Sequence, residues 1–151
     1  MNRDIKYMNM ALQEAIKAYA LKEVPIGAII VCNDEIVGRG YNLKESNNDP
    51  TAHAEIIAIR DAAKSLASWR LDECELFVTL EPCPMCAGAI VQARIKRLVF
   101  GAYDPKAGAT GSLYNITDDK RLNHQLSEIK GGILLEECKL IMKEFFRDLR
   151  K

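Results

Sequence analysis

Leu76-Phe77-Val78-Thr79-Leu80-Glu81-Pro82-Cys83-Pro84-Met85-Cys86 is the stretch on which the fold class turns. Its first five residues form a short apolar, β-prone run that reads as a buried strand. Pro82 and Pro84 end that run, and Met85 to Ala93 continues with helical character. A buried strand feeding directly into a helix is an α/β signature, and the flanking sequence extends it. Downstream, Leu98-Val99-Phe100 reads as a further strand. Upstream, Ala28 to Cys32 and Glu35 to Gly38 are separated by Asn33-Asp34, the composition of a tight hairpin turn. Asp49-Pro50-Thr51 offers N-cap residues and a first-turn proline for a helix over Ala52 to Leu66, with Ile56, Ile59, Ala63 and Leu66 on its apolar face. Ile5, Met8, Leu12, Ile16 and Tyr19 recur at helical spacing in the first twenty residues. Residues 103 to 131 hold scattered glycines and aspartates without a period, the pattern of a functional loop. Gly132 to Leu135 completes the expected sheet as a fifth strand, and Glu136 to Arg150 closes the chain as a helix. The expectation is one α/β domain over 1–151, with a mixed sheet between helices.

Composition narrows the functional classes. The chain has 151 residues, 48% hydrophobic and 28% charged, which excludes a disordered or fibrous protein. The apolar run Ile26 to Cys32 is far too short to cross a bilayer, so no membrane role is expected. Lys plus Arg equals Asp plus Glu at 21 each, so net charge points to no polyanion. Residues 93–151 nevertheless carry 12 basic against 8 acidic side chains, so any polyanion contact is expected there. Five cysteines at irregular spacing make a poor disulfide framework and fit a reducing, cytoplasmic setting.

The chemistry concentrates in Thr51-Ala52-His53-Ala54-Glu55 and Pro82-Cys83-Pro84-Met85-Cys86. One imidazole and two thiols are zinc ligands by type, and Cys32, Cys74, Cys138 and His124 supply no second pair to close a structural site. Three ligands leave a position open, which is the catalytic pattern. Side chains at a helix start lean toward its N-terminus, so His53 and Glu55 can address one point. Cys83 and Cys86 sit at a strand-to-helix junction, where the positive helix end favours thiolates. Glu55 is the candidate base.

The H-x-E and P-C-x-x-C pair resembles the signature of the zinc-dependent nucleoside and nucleobase deaminases. Within that superfamily the sequence is similar to the bacterial tRNA adenosine deaminases. The similarity runs through Val24-Pro25-Ile26-Gly27-Ala28, Asn42, Asp49 to Glu55, Trp69-Arg70-Leu71, Val78 to Cys83, Val99 to Ala102, Gly108 to Ser112, Leu122-Asn123-His124 and Phe145-Phe146-Arg147. The resemblance implies a homodimeric, three-layer cytidine-deaminase-like fold whose five-stranded mixed sheet carries helices on both faces. It implies one zinc ion per chain on His53, Cys83 and Cys86, with Glu55 as proton shuttle, and adenosine converted to inosine at the wobble position of a tRNA anticodon arm. Asn42 would then hydrogen-bond the flipped base, Ile26 and Ala54 would line its pocket, and Asp104 and Lys106 would lie near the RNA.

Other readings stand beside these. Asn42, taken from its position alone, is a turn or capping residue. Either Phe145 or Phe146 packs into the core while the other stays open to RNA stacking, and Arg147, Arg150 and Lys151 are phosphate contacts or solvated charges in equal measure. Two further functions compete with tRNA deamination: a small-molecule deaminase of guanine, cytosine or a free nucleoside, and a zinc or Cys-x-x-Cys redox module without deaminase activity.

Overall fold

A computed structural model describes residues 2–150; Met1 and Lys151, the last of the three terminal cations named above, lie outside the described residues. Helix α1 (Asn2–Ala20) precedes the hairpin β1 (Gly27–Cys32) and β2 (Glu35–Tyr41). Helix α2 (Ala54–Leu66), β3 (Cys74–Leu80), α3 (Pro84–Gln92), β4 (Arg97–Ala102), β5 (Glu128–Lys130) and α4 (Leu135–Leu149) follow. The sheet order is β2-β1-β3-β4-β5. Antiparallel pairing joins β1 to β2 and to β3, and parallel pairing joins β3 to β4 and β4 to β5. The expected mixed five-stranded sheet is therefore present. Asn33 and Asp34 both have positive φ, as the two-residue turn between right-twisted strands requires.

Side-chain alternation splits the core in two. Ala28 and Ile30, Leu76 and Val78, and Leu98 and Phe100 face α2 and α3. Ile29 and Val31, Phe77 and Val99 face α1, joined by Ile133 and by Cys138 of α4. The three layers follow from the period of two along each strand.

Three expectations are corrected. The fifth strand lies at 128–130, because Gly132 and Leu134 take positive φ and turn 132–134 out of the sheet into α4. Helix α2 starts at Ala54 with His53 as N-cap. Asp49 and Thr51 form their own turn instead: the backbone N–H and the hydroxyl of Thr51 both donate to Asp49 Oδ1, at 2.9 and 2.7 Å. Thirdly, alanines take most of the buried face where larger apolar stripes were expected. On α1, Ala11, Ala15 and Ala18 are buried beside Tyr7 and the expected Met8, with Ile5 and Leu12 packed against the core. On α2, Ala54, Ala58 and Ala62 are buried, with Ile59 packed against them. Ile16 and Leu66 are exposed. Helix α4 buries Cys138 and Phe145 while Leu149 stays exposed.

Glycines explain the choice of face. A Cβ on Gly38 would lie 2.5 Å from Ala58 O, and one on Gly40 would lie 2.3 Å from Ala54 O. Helix α2 rests directly on the backbone of β2, an approach open only to alanines above glycines.

Candidate metal centre and its surrounding loops

The C-terminal end of β3 delivers Cys83 as N-cap of α3, with Pro84 filling the first-turn position that needs no N–H donor. Cys86 sits one turn on, fully buried. Helix α2, held on β2, brings His53 and Glu55 to the same point. His53 Nδ1 lies 3.6 Å from Cys83 Sγ and 3.5 Å from Cys86 Sγ, and all three donor atoms fall within 4.8 Å of one another. A tetrahedral zinc ion with Zn–N of about 2.0–2.1 Å and Zn–S of about 2.3 Å holds its nitrogen and sulfur donors roughly 3.6 Å apart. The donor set and its spacing fit zinc.

Electrostatics fit as well. The Cys83 thiol is lowered to about 4, first by the hydrogen bond from Cys86 and then, against burial, by that from His53. Cys86, which donates that bond and is buried, is pushed up. His53 is raised by its bond to Cys83. Glu55 is 4% exposed and within hydrogen-bond reach of Cys86. Burial pushes its carboxyl up to about 7, with the Cys83 charge adding and His53 opposing. Of the remaining candidates, Cys74 and Cys138 are buried, Cys32 is half-buried and all five cysteines are free. His124 bonds the carbonyl of Ile95 at 2.7 Å, a structural role.

Asn42 is 6% exposed, and its amide is engaged at both ends. Nδ2 donates to Val24 O at 3.2 Å, and Oδ1 accepts from Lys44 N at 3.1 Å. One N–H and one lone pair remain on the amide, so the capping role leaves room for a ligand contact. Ile26 packs against the cluster that contains Ala54, next to His53. Asp104 is half-buried and its Oδ1 accepts from the N–H groups of Lys106 and Ala107, at 3.0 and 3.2 Å. Its carboxylate thus shapes a turn, and Lys106 projects as an exposed residue.

Of the buried carboxylates that the sequence did not reveal, two fix loops around this centre. Glu23 accepts from the backbone N–H groups of Glu45 and Ser46, at 3.2 and 2.5 Å, and fixes the loop that leads to His53. Glu81 accepts from Asp104, Thr110 and Ser112 and fixes the loop after β4. Burial would raise Glu81, yet the hydrogen bonds from Ser112, Asp104 and Thr110 outweigh it and hold the carboxyl below its usual range. The available signal was a lone acid inside an apolar stretch, since a charge enters a core only with partners waiting. Phe145 is 6% exposed, edge-on to Tyr19, whereas Phe146 is 39% exposed. Phe145 is the packing residue.

The family described as MafB19-like deaminase matches residues 1–150. The tRNA-specific adenosine deaminase of Bacillus subtilis is 50% identical over 151 residues, covering 100% of this chain and 93% of that protein. The protein of the same description from Haemophilus influenzae is 52% identical over 149 residues, 98% of this chain and 86% of that one. A solved structure from a study of A-to-I editing by tRNA:A34 deaminases at the wobble position of transfer RNA superimposes with a TM-score of 0.86. It shares 43% identity over 90% of this chain and 98% of that chain.

Proposed function

The chain belongs to the MafB19-like deaminases and, among them, to the tRNA-specific adenosine deaminases, and from that premise we propose that it hydrolyses adenosine to inosine at the wobble position of a tRNA anticodon. The observation that carries this reading is the convergence of His53 Nδ1, Cys83 Sγ and Cys86 Sγ within 4.8 Å of one another, with the buried Glu55 carboxyl beside them. These three residues would hold one zinc ion per chain, which when bound supplies Lewis-acid activation of water as nucleophile.

Glu55 does the proton work. It takes one proton from the attacking water and delivers it to the purine ring nitrogen, then takes the second proton from the hydroxyl added at C6 and passes it to the departing amine, and so ends as it began. One water is consumed and one ammonia leaves. Asn42 meets the edge of the flipped base with the N–H and lone pair left over from its cap, between Ile26 and Ala54. Asp104 shapes the loop that brings Lys106 toward the RNA. An unpaired anticodon base is the accessible target, because an adenine C6 inside a duplex is out of reach of a buried centre.

The working unit is one domain over 1–151, acting as a homodimer in the cytoplasm. Supporting a dimer are apolar side chains left open, Leu66 and Met85 exposed and Ile56 and Ile59 only half-buried. The free cysteines suit a reducing compartment. Among the described residues no helix is long and apolar enough to cross a membrane.

Incubating purified protein with a tRNA carrying adenosine at the wobble position should release ammonia and leave inosine in equal amount. Rapid deamination of free guanine or cytosine, with the tRNA adenosine untouched, would replace this reading with the small-molecule one.

A further inference from the structure

Glu81 carries a carboxylate into the interior with no cation paired to it among the described residues. It is 2% exposed, and its partners all come from one loop. The backbone N–H groups of Asp104, Thr110 and Ser112 donate to it at 3.0, 3.1 and 3.0 Å, and the Ser112 hydroxyl donates as well. Charge-assisted bonds of this kind are about twice as strong as neutral ones. Gly108 is the point of closest approach, since a Cβ there would lie 2.4 Å from Glu81 Cδ and 2.5 Å from Asp104 O. Ala109 N donates to Pro82 O at 2.8 Å, across the peptide just before Cys83. The loop is therefore fastened to the two residues that precede the first thiol of the metal centre. Its outward side leaves Tyr103, Lys106, Leu113 and Tyr114 exposed, a basic and aromatic border suited to unpaired nucleotides.

We propose that Glu81 is a positioning residue for substrate: by holding residues 104–112 in place it makes this loop a preformed wall of the deaminase site on the Cys83 side. The inference rests on the deaminase reading above. A segment with so little regular structure would otherwise have to be ordered by the incoming RNA, and that ordering entropy is charged against binding.

Glu81→Gln keeps the size of the side chain but turns an amide NH₂ toward donors. Losing one charge-assisted bond is expected to raise KM for tRNA about tenfold or more. Turnover at saturation should stay within about threefold, because the interaction lost is one of binding. Zinc per chain should match wild type, and amide hydrogen exchange should quicken over residues 104–112. Ser112→Ala, which removes one donor only, should shift KM in the same direction by less; it carries the test if Glu81→Gln does not fold. Folded, zinc-loaded variants whose KM stays within about twofold of wild type would overturn the proposal. So would a loss confined to zinc content or to turnover, which would make Glu81 a support for Cys83 alone. Wild-type protein is assayed alongside; its failure to deaminate tRNA would refute the functional reading, whereas normal wild-type activity with an unchanged variant KM refutes only the role of Glu81.

Discussion

The carboxyl of Glu55 sits where its charge is least comfortable, buried beside sulfur, and it touches the metal centre without belonging to the ligand set. A proton carrier and a ligand respond differently to removal. Glu55→Ala should retain zinc and fold, since Ala is favourable in a helix and no ligand is lost. Its deaminase rate should fall by more than the 10²–10⁴-fold typical of a single acid or base, about 10⁴ or beyond, because the same group acts in several steps. Zinc analysis and single-turnover inosine formation on one preparation check both halves; near-normal turnover would remove Glu55 from the mechanism. His53→Ala and Cys83→Ser should do the opposite and fail at zinc retention. At this scale the sequence was informative wherever chemistry depends on residue type, as for His53, Glu55, Cys83 and Cys86. For Glu23 and Glu81 it offered only an acid in an apolar setting and no partner, because most of their donors are backbone N–H groups that any residue could supply.

Helix α2 shows how an element converts packing into chemistry. His53 and Glu55 reach Cys83 only because α2 lies against β2 at glycine distance, and Gly40 is the contact nearest the helix start. A methyl group at Gly40 would meet the backbone at Ala54 O, 2.3 Å away, and at Ala58 N, 2.7 Å away, neither of which can move without the helix. Gly40→Ala should destabilise the fold by about 1–3 kcal/mol, the usual range for overpacking. Because it displaces the turn between His53 and Glu55, it should also weaken zinc retention by about 10–100-fold, the range seen when the support of a ligand is disturbed. Competition with a chelator, read beside a urea titration, tests the pair; unchanged zinc affinity would mean the helix start absorbs the strain. The same contact explains what the sequence concealed. Periodicity assigned the core face of α2 to Ile56, Ile59, Ala63 and Leu66 because hydrophobicity was the main visible weight, whereas close approach selected Ala54, Ala58 and Ala62, with Ile59 packed beside them. Positive φ at Gly132 and Leu134 likewise ended β5 early, a backbone choice that the apolar run Ile133 to Leu135 masked.

Across the whole molecule, chemistry and cohesion occupy opposite ends of the sheet. The metal centre lies beyond the C-terminal end of β3, and an ion network lies at the other end, where β3, β4 and β5 begin. The C-terminal cation surplus read from the sequence is partly consumed there and in local pairs: Lys96 with Glu73, Lys130 with Asp4, and Arg121 with Asp119. Lys106, Lys139, Lys143 and Arg150 make no ion pair among the described residues, which leaves few charges for phosphate. At about −0.7 per contact on single-stranded RNA, three or four contacts give a slope of roughly −2 to −3 in log K against log salt. Filter binding of an anticodon stem-loop across a salt series measures it, and a slope beyond about −5 would mean more phosphate contacts than these four cations make.

Arg97 is the hub of the network at the far end. Its Nη1 and Nη2 bond both oxygens of Asp4 at 2.8 Å, Nη1 reaches Glu75 at 2.9 Å, and Nε pairs with Glu128, so one side chain ties α1, β3, β4 and β5 together. Arg3 closes the ring by a second two-pronged bond to Glu75. The Asp4 carboxyl is held below its ordinary range chiefly by Arg97; Glu75 is lowered too, because the bonds from Arg3 and Arg97 outweigh its burial. A carboxyl whose folded pKa is depressed adds stability above the unfolded value near 4 and loses it as pH falls through the folded value. Asp4 and Glu75 should therefore contribute a constant stabilisation near neutrality that is lost below about pH 4. Zinc release in acid also destabilises, so the informative quantity is the difference between wild type and Arg97→Ala. That substitution leaves Asp4 buried without its main partner and should cost about 3 kcal/mol at neutral pH, at the lower end for a broken buried pair because Arg97 keeps some solvent contact. The gap between the two proteins should narrow as the medium is acidified, since protonated Asp4 and Glu75 no longer need the guanidinium. Zinc content and kcat/KM per folded molecule should remain those of wild type, because the hub and the metal centre lie at opposite ends of β3. A constant gap down to pH 2.5, or a loss of zinc at neutral pH in Arg97→Ala, would show that the two ends do not behave as separate charge systems.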